Sequence, residues 1–313
     1  MIETLVNRLL VSIPVLLGVL ILGFALVQLA PGDPAQVQAG PAAPPEVVER
    51  VREEMGLDKP VVVQFTRYIE RLVQGDLGRS LISNKTVASE LKAAIVPTIE
   101  LMVASLIWAI PLGIAMGTAA AVWRGSLFDR AMMALSVAGL SLPIFFICLM
   151  LIHFLGVKYP LLPFIGRGGP LWTVQGLRHV ALPALSLGLI FIGPVARMTR
   201  SSVLEVLRLD HVRTARAKGL NGFQVTLRHG LRNALIPVVT LVGLQIGYLL
   251  GGAVVTETIF SYPGIGRLAV GAILSADFPL AQGTILVLAI GFILVNLMVD
   301  ILYARLDPRV QKK

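Results

Sequence analysis

Six stretches of this 313-residue chain run for 17 to 27 residues without a single Asp, Glu, Lys or Arg. They cover residues 9–30, 101–123, 131–157, 180–196, 233–256 and 278–299. A bilayer core about 30 Å thick needs about 20 such residues in helical form. A charge at the centre of an inserted helix costs about 2.5–3.5 kcal/mol, and a buried helix of a soluble domain rarely needs so long a run without one. The pattern predicts an all-α polytopic membrane protein with six transmembrane helices. The fourth run is short, so His179 or Arg197 is expected near its ends. Composition agrees: mean hydropathy is +0.81 and only 14% of residues are charged, against about 25% in soluble domains.

The charges that remain set an orientation. With the N-terminus in the cytoplasm, the inner segments hold fifteen of the 27 Lys and Arg residues and the short outer loops hold four. The long segment 31–97 holds the other eight beside nine acids, and loops beyond about 60 residues cross largely regardless of charge. The expectation is both ends inside, N-in and C-in. The net charge of +9 then reflects basic inner loops. No nucleic-acid recognition module is visible, so no nucleic-acid partner is expected. The run after Arg8 is longer than the apolar region of about 7–15 residues in a cleaved signal. Val37-Gln38-Ala39, which could pass for a cleavage site, lies well beyond that run, and a retained first helix is expected. The single Cys148 sits in an apolar run and reads as a small hydrophobe.

The chain divides into 1–30, an N-terminus with the first span; 31–97, an extracytoplasmic loop; and 98–313, a five-helix core. In the loop, Pro44-Pro45 precedes a mixed-charge helical stretch, 46–55, that Gly56 can cap. A second helix is expected over 64–73, ended by Gly75. Pro14, Pro111, Pro143, Pro183, Pro194 and Pro237 punctuate the spans, which membrane helices tolerate. Among polar residues inside the spans, Gln245, Tyr248, Asn296 and His153 fit either a translocation cavity or interhelical hydrogen bonds. Asp300 reads as a boundary charge or a partner of Arg305, and Glu100 as an outer interface charge.

The segment between the fourth and fifth runs, 200–237, carries the densest information. Val203, Val206, Leu207 and Val212 fall near one helical face, with Arg208, Arg213 and Arg216 largely off it. Lys218 complements the end of that helix, Gly219 supplies a left-handed position, and Asn221 can cap a second helix running through Leu231. The spacing predicts helix, sharp turn, helix on the inner side. An apolar stripe on such an element fits a docked partner, an interfacial helix on anionic lipid, or a hairpin packed on its own bundle.

The motif RTARAKG (213–219), followed by LRHGLRNALIPVVT (227–240), resembles the EAA loop of binding-protein-dependent ABC importers. Arg213, Thr214 and Ala215 stand where that pattern has Glu-Ala-Ala, and Gly219 matches its glycine. The departure at Arg213 is similar to the peptide and nickel permease branch. LVQLAPGDPA (26–35), MGLDKPVVVQFTRYI (55–69), GDLGRSL (75–81), ETIFSYPGIGRL (257–268) and NLMVDILYARLDPRV (296–310) resemble the B-type dipeptide, oligopeptide and glutathione permeases in the same order. The resemblance implies that a coupling helix holding Asp210, Arg213, Thr214, Ala215, Arg216, Ala217 and Gly219 docks on an ATPase. It implies that the loop with Phe260, Pro263, Gly264, Gly266 and Arg267 faces a solute-binding protein; a tight turn stabilising the bundle mouth is the alternative. It also implies two ABC ATPase subunits, a second and different permease, a periplasmic solute-binding protein and a bacterial inner membrane.

No G-x-x-x-x-G-K-[ST] phosphate loop occurs, so ATP and Mg are expected on the partner subunits, with no cofactor and no metal on this chain. No H-E-x-x-H or G-x-S-x-G pattern occurs either, and no catalytic residue is expected. An ion-coupled secondary transporter is the alternative. Such a carrier favours acids or broken helices at mid-membrane, and the six runs contain no acid.

Overall fold

The computed structural model describes residues 2–29, 33–40 and 42–306. Among them the chain is helical, with no strand and one isolated bridge between Arg79 and Thr86. Among the described residues four helices are long and apolar enough to cross a membrane: Val87–Val122, Val174–Val206, Gly222–Ile259 and Phe278–Val299. Shorter apolar helices cover Leu10–Ala25, Ile144–Lys158 and Ile265–Leu274. The side chains of Asp300 and Arg305 lie outside the described residues, as does everything beyond residue 306.

The first run forms helix α1 (Ile2–Leu29), with Pro14 inside it. Then come three short helices, α2 (Pro34–Ala39), α3 (Pro45–Met55) and α4 (Val61–Val73). Helix α3 begins with Pro at its first turn, where a missing N–H costs nothing. It ends at Gly56, whose φ of +71° lets its N–H reach the Arg52 and Glu53 carbonyls, a left-handed cap that glycine adopts without strain. Helix α4 starts three residues earlier than its hydrophobic pattern predicts, directly after Pro60.

Helix α5 (Val87–Val122) carries the second run and extends well ahead of it. The third run is not one helix. Its first part is α6 (Leu127–Ser141), capped by Ser126, and its second is α7 (Ile144–Leu151), which continues as a π-helical turn to Lys158. The break falls at Leu142-Pro143, with Leu142 extended at φ −84°, ψ 124°. Proline lacks the N–H that would continue the ladder and pushes the residue before it out of the helical region.

The fourth run is longer than its charge-free core. Helix α8 spans Val174–Val206, is capped by Thr173, and carries Arg197 and Arg200 within it. Helix α9 (Asp210–Ala217) is followed by a short α10 (Gly222–Gln224), a π-helical turn over Val225–Leu231 and α11 (Arg232–Ile259) in one continuous rod. Helices α12 (Ile265–Leu274) and α13 (Phe278–Leu306) complete the chain.

The chain forms two compact units. One comprises the described residues of 1–5, 99–262 and 294–313. Its central member is α8, with 72% of its apolar window buried against 44% for α5. Leu187, Phe191 and Val195 of α8 pack with Leu101 and Ala109 of α5, and with Val238, Leu249 and Ala253 of α11. Trp108 donates its indole N–H to the Ala184 carbonyl at 3.2 Å, fixing α5 against α8. The other unit, Val6–Thr98 with Pro263–Ile293, centres on Val87, Leu91, Ala272, Leu280 and Ala281. There the Ser80 hydroxyl donates to the buried Asp277 carboxylate at 2.5 Å, and Asp277 also accepts the Leu81 N–H at 3.2 Å.

Candidate functional site

The elbow after α8 is built from two opposed faces. Helix α8 closes at Val206, and the chain turns through Leu207–Leu209, where the Leu209 N–H reaches the Val206 carbonyl at 3.1 Å. Helix α9 follows and stops at Lys218; Gly219, at φ +81°, reverses the chain. The Asn221 side chain then accepts the Gln224 N–H at 2.8 Å and starts α10. On the inner face Val203, Val206, Val212, Ala215, Val225 and Ala234 are buried together with Ala121 of α5. The apolar stripe that the spacing left open to three partners is thus occupied by the chain's own bundle.

The outer face stays in solvent. Asp210, Arg213, Thr214, Arg216, Ala217, Lys218 and Gly219 are all exposed. Of the residues proposed for coupling only Ala215 is turned inward, at 5% exposure. The hydroxyl of Thr214 donates to the Asp210 carbonyl at 3.0 Å, and Arg213 meets the Asp210 carboxylate at 3.3 Å. That ion pair is open to water and adds little stability, so Arg213 remains available. Phe223, 74% exposed on α10, is an apolar residue on the same elbow that sequence reasoning assigned no role. The available signal was an aromatic two residues after the Asn221 cap, off the buried stripe.

A two-point ion pair anchors the root of the elbow. Arg200 donates to both oxygens of Asp129, at 2.5 and 2.7 Å. The Asp129 carboxylate also accepts the Gly125 N–H at 2.9 Å. The Arg200 guanidinium and then the Gly125 N–H hold the Asp129 carboxyl down from 3.8 to about 2, because both favour its charged form. The elbow therefore grows from a helix end tied to the turn ahead of α6.

The second candidate region is the turn from α11 to α12. In the first unit Phe260 and Tyr262 are fully buried, and the Phe260 carbonyl accepts the Gly166 N–H at 2.9 Å. Beside them Arg167 donates through two nitrogens to Glu100, both at 2.8 Å, and Glu100 also accepts the Leu171 N–H at 3.2 Å. Glu100 is buried, not the outer interface charge that its position predicts. Burial, and next the Glu100 charge, push the Tyr262 phenol up to about 12, so it stays protonated at physiological pH. In the other unit Pro263 and Arg267 are exposed, Gly264 and Gly266 are buried, and the Ile265 N–H donates to the Thr98 hydroxyl at 2.9 Å.

The cavity candidates belong to other stretches of the chain. Gln245 and Asn296 are half-buried, on α11 and α13, while Tyr248 is 77% exposed on α11. His153 lies exposed in the π-helical turn after α7, edge-on to Phe154.

Comparison with known proteins bears on the whole chain. Residues 109–312 match the family described as binding-protein-dependent transport system inner membrane component, and residues 1–101 match its N-terminal companion. The glutathione transport system permease protein GsiC of Salmonella paratyphi A (strain ATCC 9150 / SARB42) is 45% identical over 313 residues, covering 100% of both chains. The protein of the same name from Salmonella typhi is 45% identical and that from Escherichia coli (strain K12) 44%, again over the full length of both. Such a permease works with an ATPase and a solute-binding protein. The chain belongs to the binding-protein-dependent transport system inner membrane components, and is a multi-pass permease subunit of a bacterial ABC importer.

Proposed function

We propose that this permease forms half of an inner-membrane pathway for glutathione or for di- and oligopeptides delivered by a periplasmic binding protein. Six spans, with both chain ends in the cytoplasm, follow 1–30 and 98–313, and the segment 31–97 lies outside. The other half of the pathway is a different permease chain, and two ATPase subunits drive the pair. ATP and Mg are held by those ATPases, and this chain carries neither cofactor nor metal. The relatives named for glutathione transport support that solute.

The carrying observation is the two-faced elbow. Its apolar side is used up inside the chain, and its outer side offers Arg213, Thr214, Arg216 and Lys218 to a partner. A helix locked to α8 and α11 in this way transmits displacement. Closure of the ATPase pair on ATP moves α9, and α8 and α11 move with it, switching the pathway between two states. The turn around Pro263–Arg267 meets the binding protein, and Gln245, Tyr248 and Asn296 contribute to the pathway wall. The test is uptake of labelled glutathione and of a labelled dipeptide by proteoliposomes holding the full complex and its binding protein. Uptake is expected only with ATP inside. Uptake by this chain alone down an ion gradient contradicts the proposal.

A further inference from the structure

The second unit holds a cleft of about 920 Å³, within the range of about 300–1,000 Å³ usual for small-molecule sites. Helices α1 to α4, the loop 74–84 and the start of α13 wall it. Four arginines and four carboxylates line it, so its charge is balanced. Arg52 and Asp33 satisfy each other at 2.6 Å, and Arg79 donates to the Asn84 carbonyl at 3.2 Å. Arg67 and Arg71 remain, one turn apart on α4, and no hydrogen bond or ion pair among the described residues engages either of them, nor Glu54 or Glu70. The Arg67 guanidinium lies against Gly56, where a Cβ would come to 2.7 Å from its Nη1. The glycine leaves room for the fork, whose N–H groups have no acceptor among the described residues. Beside it Tyr68 is half-buried and stacked on Phe24 at 6.0 Å. Burial pushes its phenol up, so the hydroxyl is a donor at neutral pH. Gln38, Gln74 and Gln282 add amides that make no side-chain bond among the described residues.

We propose that this cleft binds a short peptide, its carboxylate held by Arg67 and Arg71, its ammonium by Glu54 and Glu70, and its amide groups by the glutamines. The lining chemistry selects that class. Guanidinium forks match a carboxylate through paired N–H donors. A glutamine amide both donates and accepts, as a peptide group does. A simple anion such as phosphate would use the arginines but would also meet the acids, and like charges repel. An apolar ligand would strip water from guanidinium and amide groups without replacing their hydrogen bonds. An amide-bearing zwitterion answers all three sets of groups together. Gln245, Tyr248 and Asn296 do not line the cleft, so it is a further site, where solute is held on the outer segment. The inference takes from the transport reading only that such peptides reach this face of the membrane.

The test measures equilibrium binding of labelled dialanine and labelled glutathione to the assembled permease–ATPase complex in nanodiscs, without binding protein and without ATP. Saturable binding of at least one of them is expected. Arg67→Gln and Arg71→Gln are each expected to weaken it at least tenfold with the unfolding midpoint unchanged. Arg67→Lys keeps the charge but not the fork and is expected to fall between. Dialanine amide, which lacks the carboxylate, is expected to compete at least tenfold less well than dialanine, and inorganic phosphate not to compete. No binding of either peptide overturns the proposal, as does binding equal in the parent and both glutamine variants. Competition by phosphate as strong as by dialanine also overturns it, because the cleft is then an anion site only. ATP-driven uptake of the same peptides, with binding protein added, separates the two layers of argument. Uptake in the parent together with arginine-independent binding removes only the cleft. Absent uptake removes the transport reading and leaves the cleft to be decided by the binding data.

Discussion

Arg200, near the end of α8 that leads into the elbow, grips Asp129 through two nitrogens, one on each carboxylate oxygen. Their side chains are 24% and 4% exposed. The pair joins two segments 71 residues apart in sequence, and it lies between the elbow and the turn before α6.

Removing one partner leaves the other charge without its two hydrogen bonds at a partly exposed site, which typically costs about 1–3 kcal/mol. Asp129→Ala and Arg200→Ala are each expected to lower the unfolding midpoint of the purified complex. The double variant is expected to fall by less than the sum of the two. Additive losses measured by thermal unfolding rule out the coupling.

The same pair gives a pH expectation with a defined sign. The folded-state pKa of Asp129 is depressed from 3.8 to about 2. Its contribution is therefore complete above about pH 4 and is lost as pH falls toward 2. Between pH 5 and 8 the stability lost by Asp129→Asn relative to the parent is expected to be constant. A difference that changes across that range places the titrating group elsewhere.

Glycine at 117 is required by contact. A methyl group there would collide with the Ala196 carbonyl oxygen of α8, whereas one at Gly18 meets nothing within 4 Å. Gly117→Ala is expected to cost about 1–3 kcal/mol through forced separation of α5 and α8. Gly18→Ala is expected to be neutral or slightly stabilising, as alanine favours helix. Thermal unfolding of the two variants side by side checks the contrast, and equal effects contradict it.

At Gly219 the constraint is the backbone, not the space. Its φ is +81° and an added Cβ would meet nothing within 4 Å. Left-handed backbone costs a residue with a Cβ about 1–2 kcal/mol, and Asn pays less than most. Gly219→Asn is expected to keep ATP-driven uptake and Gly219→Val to weaken it. Uptake ranked by side-chain volume instead points to a packing role.

Much of this arrangement is written locally. Gly56 and Gly219 sit at left-handed turns and Asn221 caps a helix, as short-range rules require. The stripe Val203, Val206 and Val212 was legible as one face, but not what it packs on, since Ala121 and Ala234 lie far off in sequence. Pro143 was visible inside the third apolar run, but membrane helices tolerate proline, so the run did not show that the helix stops there. Glu100 and Arg167 are 67 residues apart, and nothing local marks them as partners. A lone acid at the head of an apolar run and a lone Arg in a Pro- and Gly-rich loop were the only cues. Helix α8 outruns its charge-free core at both ends, and in the C-terminal extension Arg200 meets the Asp129 carboxylate.

The central claim is that the outer face of α9 is where the ATPase presses. Its most direct measurement is disulfide cross-linking in the assembled, ATP-hydrolysing complex, with single cysteines from Arg213→Cys, Thr214→Cys and Ala215→Cys paired with cysteines placed along the membrane-facing surface of the ATPase. Cross-links are predicted from 213 and 214 and not from the inward 215. An intact, active complex in which no exposed position of 210–219 reaches the ATPase contradicts the account.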